Sequence, residues 1–173
     1  MKSLLFLIFI IFGTIYFATF SYGTPIRRDD PPRTAVVKSS DMFCTFLPKD
    51  YGGNIGDSES TAIAACTHQS PNAYILPAGF IISAHFKQGE GYVQVTGVMN
   101  GSIYGLSPND SGGQYDMQAP QKSKCEGYSK FVNLVEPDIN HYCIRCCSDE
   151  SKCDLHHSEK GCEYVIPGDY SPN

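Results

Sequence analysis

Along much of the chain the apolar positions recur at every second residue. Phe80, Ile82, Ala84 and Phe86 alternate with Ile81, Ser83, His85 and Lys87; beyond Gly89-Glu90-Gly91, Val93, Val95 and Gly97 alternate with Gln94, Thr96 and Val98. A period of two belongs to a half-buried strand, and the glycine-flanked break reads as a turn. The pattern predicts a β-hairpin with Phe80, Ile82, Phe86, Val93 and Val95 on its buried face and Lys87 and Gln94 facing water. Shorter β-type runs occupy Tyr128–Val135, Tyr142–Cys147 and Tyr164–Ile166, the last stopped by Pro167-Gly168. From Asp57 to Cys66 an N-cap candidate precedes small residues that set no period, so helix and strand both remain open there. With 16 Gly and 11 Pro as punctuation, the expected class is mainly β. The architecture is a small disulfide-braced antiparallel β-sandwich or barrel with little helix.

The N-terminus follows a different rule. Lys2 precedes a nearly unbroken apolar run from Leu4 to Phe20, and Ser21 and Gly23 supply small residues at its end. This predicts a secretion signal over residues 1–23, cleaved before Thr24. A membrane anchor is the competing reading, since about 20 apolar residues can span a bilayer, but the polar exit and the absence of a second such run favour removal. Residues 24–41 carry Pro25, Pro31, Pro32 and mixed charges with few apolar side chains, the composition of a flexible Pro-rich arm. Within it, Arg27-Arg28 is a dibasic pair that a processing protease could cut. Residues 42–173 then form a single cysteine-rich β-domain.

Export changes the meaning of the cysteines. All eight lie behind the signal: Cys44, Cys66, Cys125, Cys143, Cys146, Cys147, Cys153 and Cys162. An even set in an oxidising compartment predicts structural bridges. Cys143-Ile144-Arg145-Cys146 could be drawn as a zinc or dithiol site, but zinc needs reduced thiolates and a redox pair wants a helix N-terminus, whereas this run reads as strand. If it is extended, Cys143 and Cys147 point to one face and Cys146 to the other, so the three reach different partners. Cys44 and Cys66 flank one Gly-rich loop and are candidates to pair with each other; the remaining connectivity stays open.

Charge narrows the partners. Losing Lys2 takes the 13 basic residues to 12 against 18 acidic ones, a net charge near −6. No Lys/Arg cluster offers the footprint that phosphate binding requires, so nucleic acid is not expected as a partner. Neither is a membrane once the signal is gone, and no metal or cofactor is expected. Asn100-Gly101-Ser102 and Asn109-Asp110-Ser111 are sequons in a turn-rich stretch, which makes Asn100 and Asn109 candidate glycosylation sites.

Catalytic candidates are weak. Gly56-Asp57-Ser58 resembles the nucleophile block of GDSL-type esterases, and Asp154-Leu155-His156-His157 supplies a D-x-x-H. The chemistry would have Ser58 attack an ester, His157 take its proton and Asp154 orient the imidazole. The surrounding strand–helix alternation of such enzymes is missing, and Lys49 to Asn54 is not a buried strand. Asp116, Glu136 and Asp138 could be cast as glycosidase carboxylates, but loop carboxylates are ordinarily solvated. Gly112-Gly113-Gln114-Tyr115-Asp116 has the tyrosine, amide and carboxylate that sugar-binding faces use, which marks Gln114, Tyr115 and Asp116 as a possible binding cluster.

Several longer runs carry a family likeness. They are Gly52-Gly53-Asn54-Ile55-Gly56-Asp57-Ser58-Glu59, Gly79-Phe80-Ile81 with His85-Phe86, Tyr92-Val93-Gln94-Val95-Thr96-Gly97, Gly112-Gly113-Gln114-Tyr115-Asp116, Phe131-Val132-Asn133-Leu134-Val135-Glu136-Pro137, Cys143-Ile144-Arg145-Cys146-Cys147 and Val165-Ile166-Pro167-Gly168-Asp169-Tyr170. From about Cys44 to Tyr170 the chain resembles small secreted fungal proteins labelled macrophage-activating glycoprotein. The resemblance implies secretion, glycosylation, paired cysteines and a fungal source, and it transfers no catalytic residue or ligand. The expected role is that of a secreted, non-catalytic module that binds cell-wall polysaccharide or a host or partner surface protein. A secreted GDSL-type hydrolase using Ser58, Asp154 and His157 is the alternative.

Overall fold

The computed structural model describes residues 32–172, and the signal and Arg27-Arg28 lie outside them. The frame is a five-stranded, wholly antiparallel sheet in the order β5 (His85–Gly89), β6 (Tyr92–Val98), β10 (His141–Cys147), β9 (Lys130–Glu136), β7 (Gly113–Asp116). The expected hairpin is its first pair, turning at Glu90-Gly91 with Phe86 opposite Val95 and Lys87 opposite Gln94. Central β10 pairs over its whole length with β6 on one side and β9 on the other. Both edges stay open, so the sheet is not a closed barrel.

Against one face lie two small sheets. β2 (Cys44–Leu47), β3 (Ile63–Cys66) and β4 (Tyr74–Ile75) form one, and β1 (Thr34–Ala35) with β8 (Lys124–Cys125) the other. Two of these pairings, β3–β4 and β1–β8, are parallel, a departure from the antiparallel expectation. The main core fills the space between layers: Phe43, Phe46 and Leu47 pack against Val95, Phe131, Val135, Tyr142 and Ile144. Phe46 stacks on Phe131 with ring centres 5.0 Å apart.

The opposite face is covered as well. Val132, Leu134, Cys143 and Cys147 join Cys153, Cys162, Val165 and Ile166 in a second apolar cluster beneath the C-terminal segment. That cover accounts for the first of two corrections to the hairpin. Gln94 is only 1% exposed because the C-terminal segment lies over it. Ile82 is 46% exposed because a bulge breaks the alternation there: the N–H groups of Ile82 and Ser83 both donate to the Val98 carbonyl, and the Ile81–Met99 bridge is one residue out of step with His85–Thr96. Phe80, Val93 and Val95 are buried as expected, while Phe86 is half-buried.

Three further boundaries move. Ala35, Val36 and Val37 are buried, so residues 32–41 of the expected arm belong to the fold. A short apolar triplet suffices there because Val37 bridges to Phe43 and the Val36 carbonyl accepts the Cys44 N–H at 2.8 Å. Tyr164–Ile166 is not a strand: Gly161–Val165 forms a helical turn, α1, whose Cys162 and Val165 share the buried side. Glu136 accepts the Cys162 N–H at 2.9 Å and so satisfies one of the free donors at that helix start. Within Asp57–Cys66 the ambiguity resolves as a 3₁₀ turn over Gly56–Ser58 followed by β3.

All eight cysteines pair. The bridges are Cys44–Cys66, Cys125–Cys146, Cys143–Cys162 and Cys147–Cys153. Strand alternation sends Cys146 into the main core and Cys143 and Cys147 into the second cluster, each to a different partner.

Candidate binding surface

Glycine-flanked tyrosines build the most exposed aromatic feature among the described residues. Tyr51 sits on a turn closed by the Gly53 N–H to the Asp50 carbonyl at 3.0 Å. Gly52 adopts φ +72°, and its N–H donates to the Tyr104 carbonyl at 2.9 Å. Tyr104 ends the 3₁₀ turn Gly101–Tyr104, which stops at Gly105 with φ +72°. A Cβ on Gly105 would come within 2.4 Å of the Tyr51 ring, so only glycine lets the ring lie on that backbone. The rings of Tyr51 and Tyr104 are 5.8 Å apart, and Tyr104 meets the buried Phe80 edge-on at 6.1 Å. Tyr51 is thus 71% exposed and yet held from beneath.

The Tyr104 hydroxyl donates to the Pro48 carbonyl at 2.8 Å. Burial raises its pKa, and the nearby Asp50 and Tyr74 raise it further, so it remains a neutral phenol. Tyr74, 57% exposed, and Ile75, 60% exposed, form the outer strand β4. Gln69, Ser70, Pro71 and Ala73 line a shallow groove beside them. The surface therefore combines aromatic faces, an amide, a hydroxyl and a carboxylate. Such a set can stack on and hydrogen-bond a neutral polar ligand.

The cluster expected at Gln114, Tyr115 and Asp116 is arranged otherwise. Tyr115 is fully buried and bonds Ser58 at 2.7 Å; its ionisation is pushed well above the ordinary range, chiefly by burial. Gln114 donates to Asp116 at 2.9 Å and to the Leu155 carbonyl at 3.3 Å. Asp116 also accepts the Gln118 N–H at 2.6 Å. β7 presents Tyr115 to the core because the small sheets cover that face.

Half of the hydrolase arrangement exists. His157 Nδ1 lies 2.8 Å from Asp154, with the pair on the surface, and hydrogen bonds from the His156 N–H and His157 hold the Asp154 carboxyl below its ordinary range. Ser58 stands apart from them, 7% exposed, donating to the Ile55 carbonyl at 2.8 Å and bonded to Tyr115. No hydrogen bond joins Ser58 to His157 among the described residues. Of the glycosidase carboxylates, Asp138 is close enough to Glu136 to raise its pKa, but Asp116 stands apart. Asp116 is registered with Val132, four positions along β9 from Glu136. That is on the order of 13 Å of strand, against the roughly 5 to 10 Å that a catalytic pair needs.

At the sequons, Asn109 and Ser111 are exposed while Asp110 turns inward, accepting the N–H groups of Ile55 at 2.8 Å and Gly112 at 2.9 Å. Asn100 is half-buried, with its side-chain oxygen accepting the Ser102 hydroxyl at 2.6 Å. Sequence reasoning missed Tyr51, Tyr74 and Tyr104. The available signal was a glycine beside Tyr51 and Tyr104, but Tyr115 lies in an equally Gly-rich run, and only the layering separates them.

Comparison with known proteins finds fungal relatives. The chain is 29% identical over 167 residues to Appressorium protein ROW1 of Mycosarcoma maydis, covering 84% of this chain and 39% of that protein. It is 23% identical over 155 residues to Appressorium protein ROW2 of the same organism, covering 78% of this chain and 53% of that one. The chain therefore spans only about half, or less, of the length of these curated relatives. Neither carries the macrophage-activating label. No family model and no solved structure matches the chain.

Proposed function

We propose that this chain is a secreted, glycosylated, non-catalytic module that binds polysaccharide of the fungal cell wall through the Tyr51–Tyr104–Tyr74 surface. The observation that carries the reading is Tyr51, exposed to solvent but locked by Gly52, Gly105 and Tyr104. An aromatic side chain fixed in this way pays little ordering entropy when a sugar ring stacks on it. Several aromatic faces beside a groove suit an extended chain better than a single sugar. Four disulfides agree with an oxidising compartment, and among the described residues no helix is long and apolar enough to cross a membrane. The reading places the chain's role at the appressorium, the structure for which both relatives are named.

Co-sedimentation with insoluble β-glucan and chitin tests this. The wild-type protein should be retained on one of them, and Tyr51→Ala should bind at least about fivefold more weakly, the equivalent of about 1 kcal/mol for one aromatic contact. Retention of neither polymer, with capture instead by a host or partner surface protein, would replace the polysaccharide reading.

A further inference from the structure

Beyond Cys162, which the Cys143–Cys162 bridge ties to β10, the chain crosses the face of β6 and β5 as an extended segment held through its own backbone. The carbonyls of three alternate residues each meet a side chain from that face. Gln94 Nε2 donates to Pro167 at 3.0 Å, Thr96 Oγ1 donates to Asp169 at 2.7 Å, and His85 Nε2 lies 2.9 Å from the Ser171 carbonyl. Gln94 and Thr96 are each only 1% exposed, so these polar groups are buried with the segment as their partner. Arg145 fixes Gln94 from the other side, its Nε and Nη2 donating to the Gln94 side-chain oxygen at 2.9 and 2.7 Å.

Side chains set the spacing. Ile166 enters the second apolar cluster, and the Tyr170 ring stacks on His141 at 4.9 Å. Between them Gly168 passes so close to β6 that a Cβ would lie 2.6 Å from Thr96 Oγ1. The seat thus selects Ile-x-Gly-x-Tyr by shape and takes the remaining positions by their carbonyls. A strand face that answers alternate backbone groups of an extended segment, with pockets for alternate side chains, is a peptide-recognition geometry.

We propose that the face of β5, β6 and β10 is a peptide-binding groove filled in cis by residues 166–171, and that the same segment of a second copy can take the seat in trans. The short tether from Cys162 gives the cis segment an effective concentration on the order of millimolar, so exchange emerges only when that segment is loosened.

A fluorescent peptide of residues 163–172, titrated into the full chain, tests the groove by anisotropy. Wild-type protein should bind it weakly. Gly168→Ala in the protein forces its own tail off Thr96 while leaving the groove intact, and should tighten binding at least tenfold. The peptide carrying the same Gly168→Ala change should lose that gain. If Gly168→Ala does not fold, Tyr170→Ala, which removes the ring that packs on His141 and the second apolar cluster, carries the same comparison. No saturable binding to the released variant, or equal binding of the two peptides, would overturn the proposal.

Discussion

The side-chain oxygen of Asn133 accepts the backbone N–H of Phe46 at 2.5 Å and so joins β9 of the large sheet to β2 of the small one. The same oxygen accepts the Thr45 hydroxyl at 3.1 Å, and the Asn133 amide donates to the Cys143 carbonyl at 2.7 Å. One buried carboxamide therefore links three strands across an otherwise apolar core. Asn133→Leu keeps the volume but strands the Phe46 N–H and leaves the Thr45 hydroxyl only its 3.5 Å contact with the Phe46 carbonyl. It should cost about 2 to 4 kcal/mol in urea melts, more than its gain in apolarity returns.

The two faces of the hairpin should respond in the opposite order to the one alternation alone suggests. Ile82→Ala, at an exposed position, should change stability by about 0.5 kcal/mol or less. Gln94→Ala removes the acceptor of the Arg145 guanidinium and the donor to Pro167, and should cost about 1 to 3 kcal/mol. Val95→Ala should lie in the same range, through the cavity it leaves. Equal melts for Ile82→Ala and Gln94→Ala would contradict the cover over that face.

Thiol titration of the unfolded, unreduced protein should find no free cysteine. Among single bridges replaced by alanine pairs, Cys44–Cys66 closes a much longer segment than Cys147–Cys153, with separations of 22 and 6 residues. Chain entropy then assigns about 3.4 kcal/mol to the first and about 2.4 to the second. Denaturant melts of the two variants give the order directly.

Glu136 supplies a pH signature. Its pKa is raised from the ordinary 4.5, burial being the first cause and the Cys162 N–H bond opposing it. A carboxyl raised in the folded state holds its proton there more tightly than in the unfolded chain. Its contribution is complete below about pH 4 and is lost as pH rises through the higher folded value. Glu136→Gln keeps an acceptor for Cys162 and removes the titration. Relative to wild type, the variant should therefore gain more stability at pH 7 than at pH 4, read as the shift in urea midpoint.

Ser58→Ala separates structure from catalysis. The serine hydroxyl bridges Ile55 and Tyr115 in the core, so its loss should cost about 1 to 2 kcal/mol. Any hydrolysis of short acyl esters by the purified protein should be unchanged. A fall of several orders of magnitude would instead make Ser58 a nucleophile.

The β class, the hairpin around Glu90-Gly91 and the division of Cys143, Cys146 and Cys147 between two faces were legible in the sequence. Each follows from a local rule, since the direction of a strand side chain depends only on parity along the strand. The Cys44–Cys66 pair was readable for a similar reason, as both residues flank one loop. Parity does not say what covers a face. Gln94 became a buried partner and Ile82 an exposed one because the C-terminal segment returns over one face of β6, while a one-residue bulge opposite Val98 breaks the alternation at Ile82 and Ser83. Ala35 to Val37 joined the core only because β8 and Phe43 were there to receive them. Tyr115 and Tyr51 have similar Gly-rich, polar neighbours, and packing of the small sheets on one side of β7 buried the first. The second was propped outward on the backbone of Gly105, more than fifty residues away in the chain. Composition and local period specified the strands and the bridges, whereas burial, and with it the surface left for binding, was decided by contacts between distant segments.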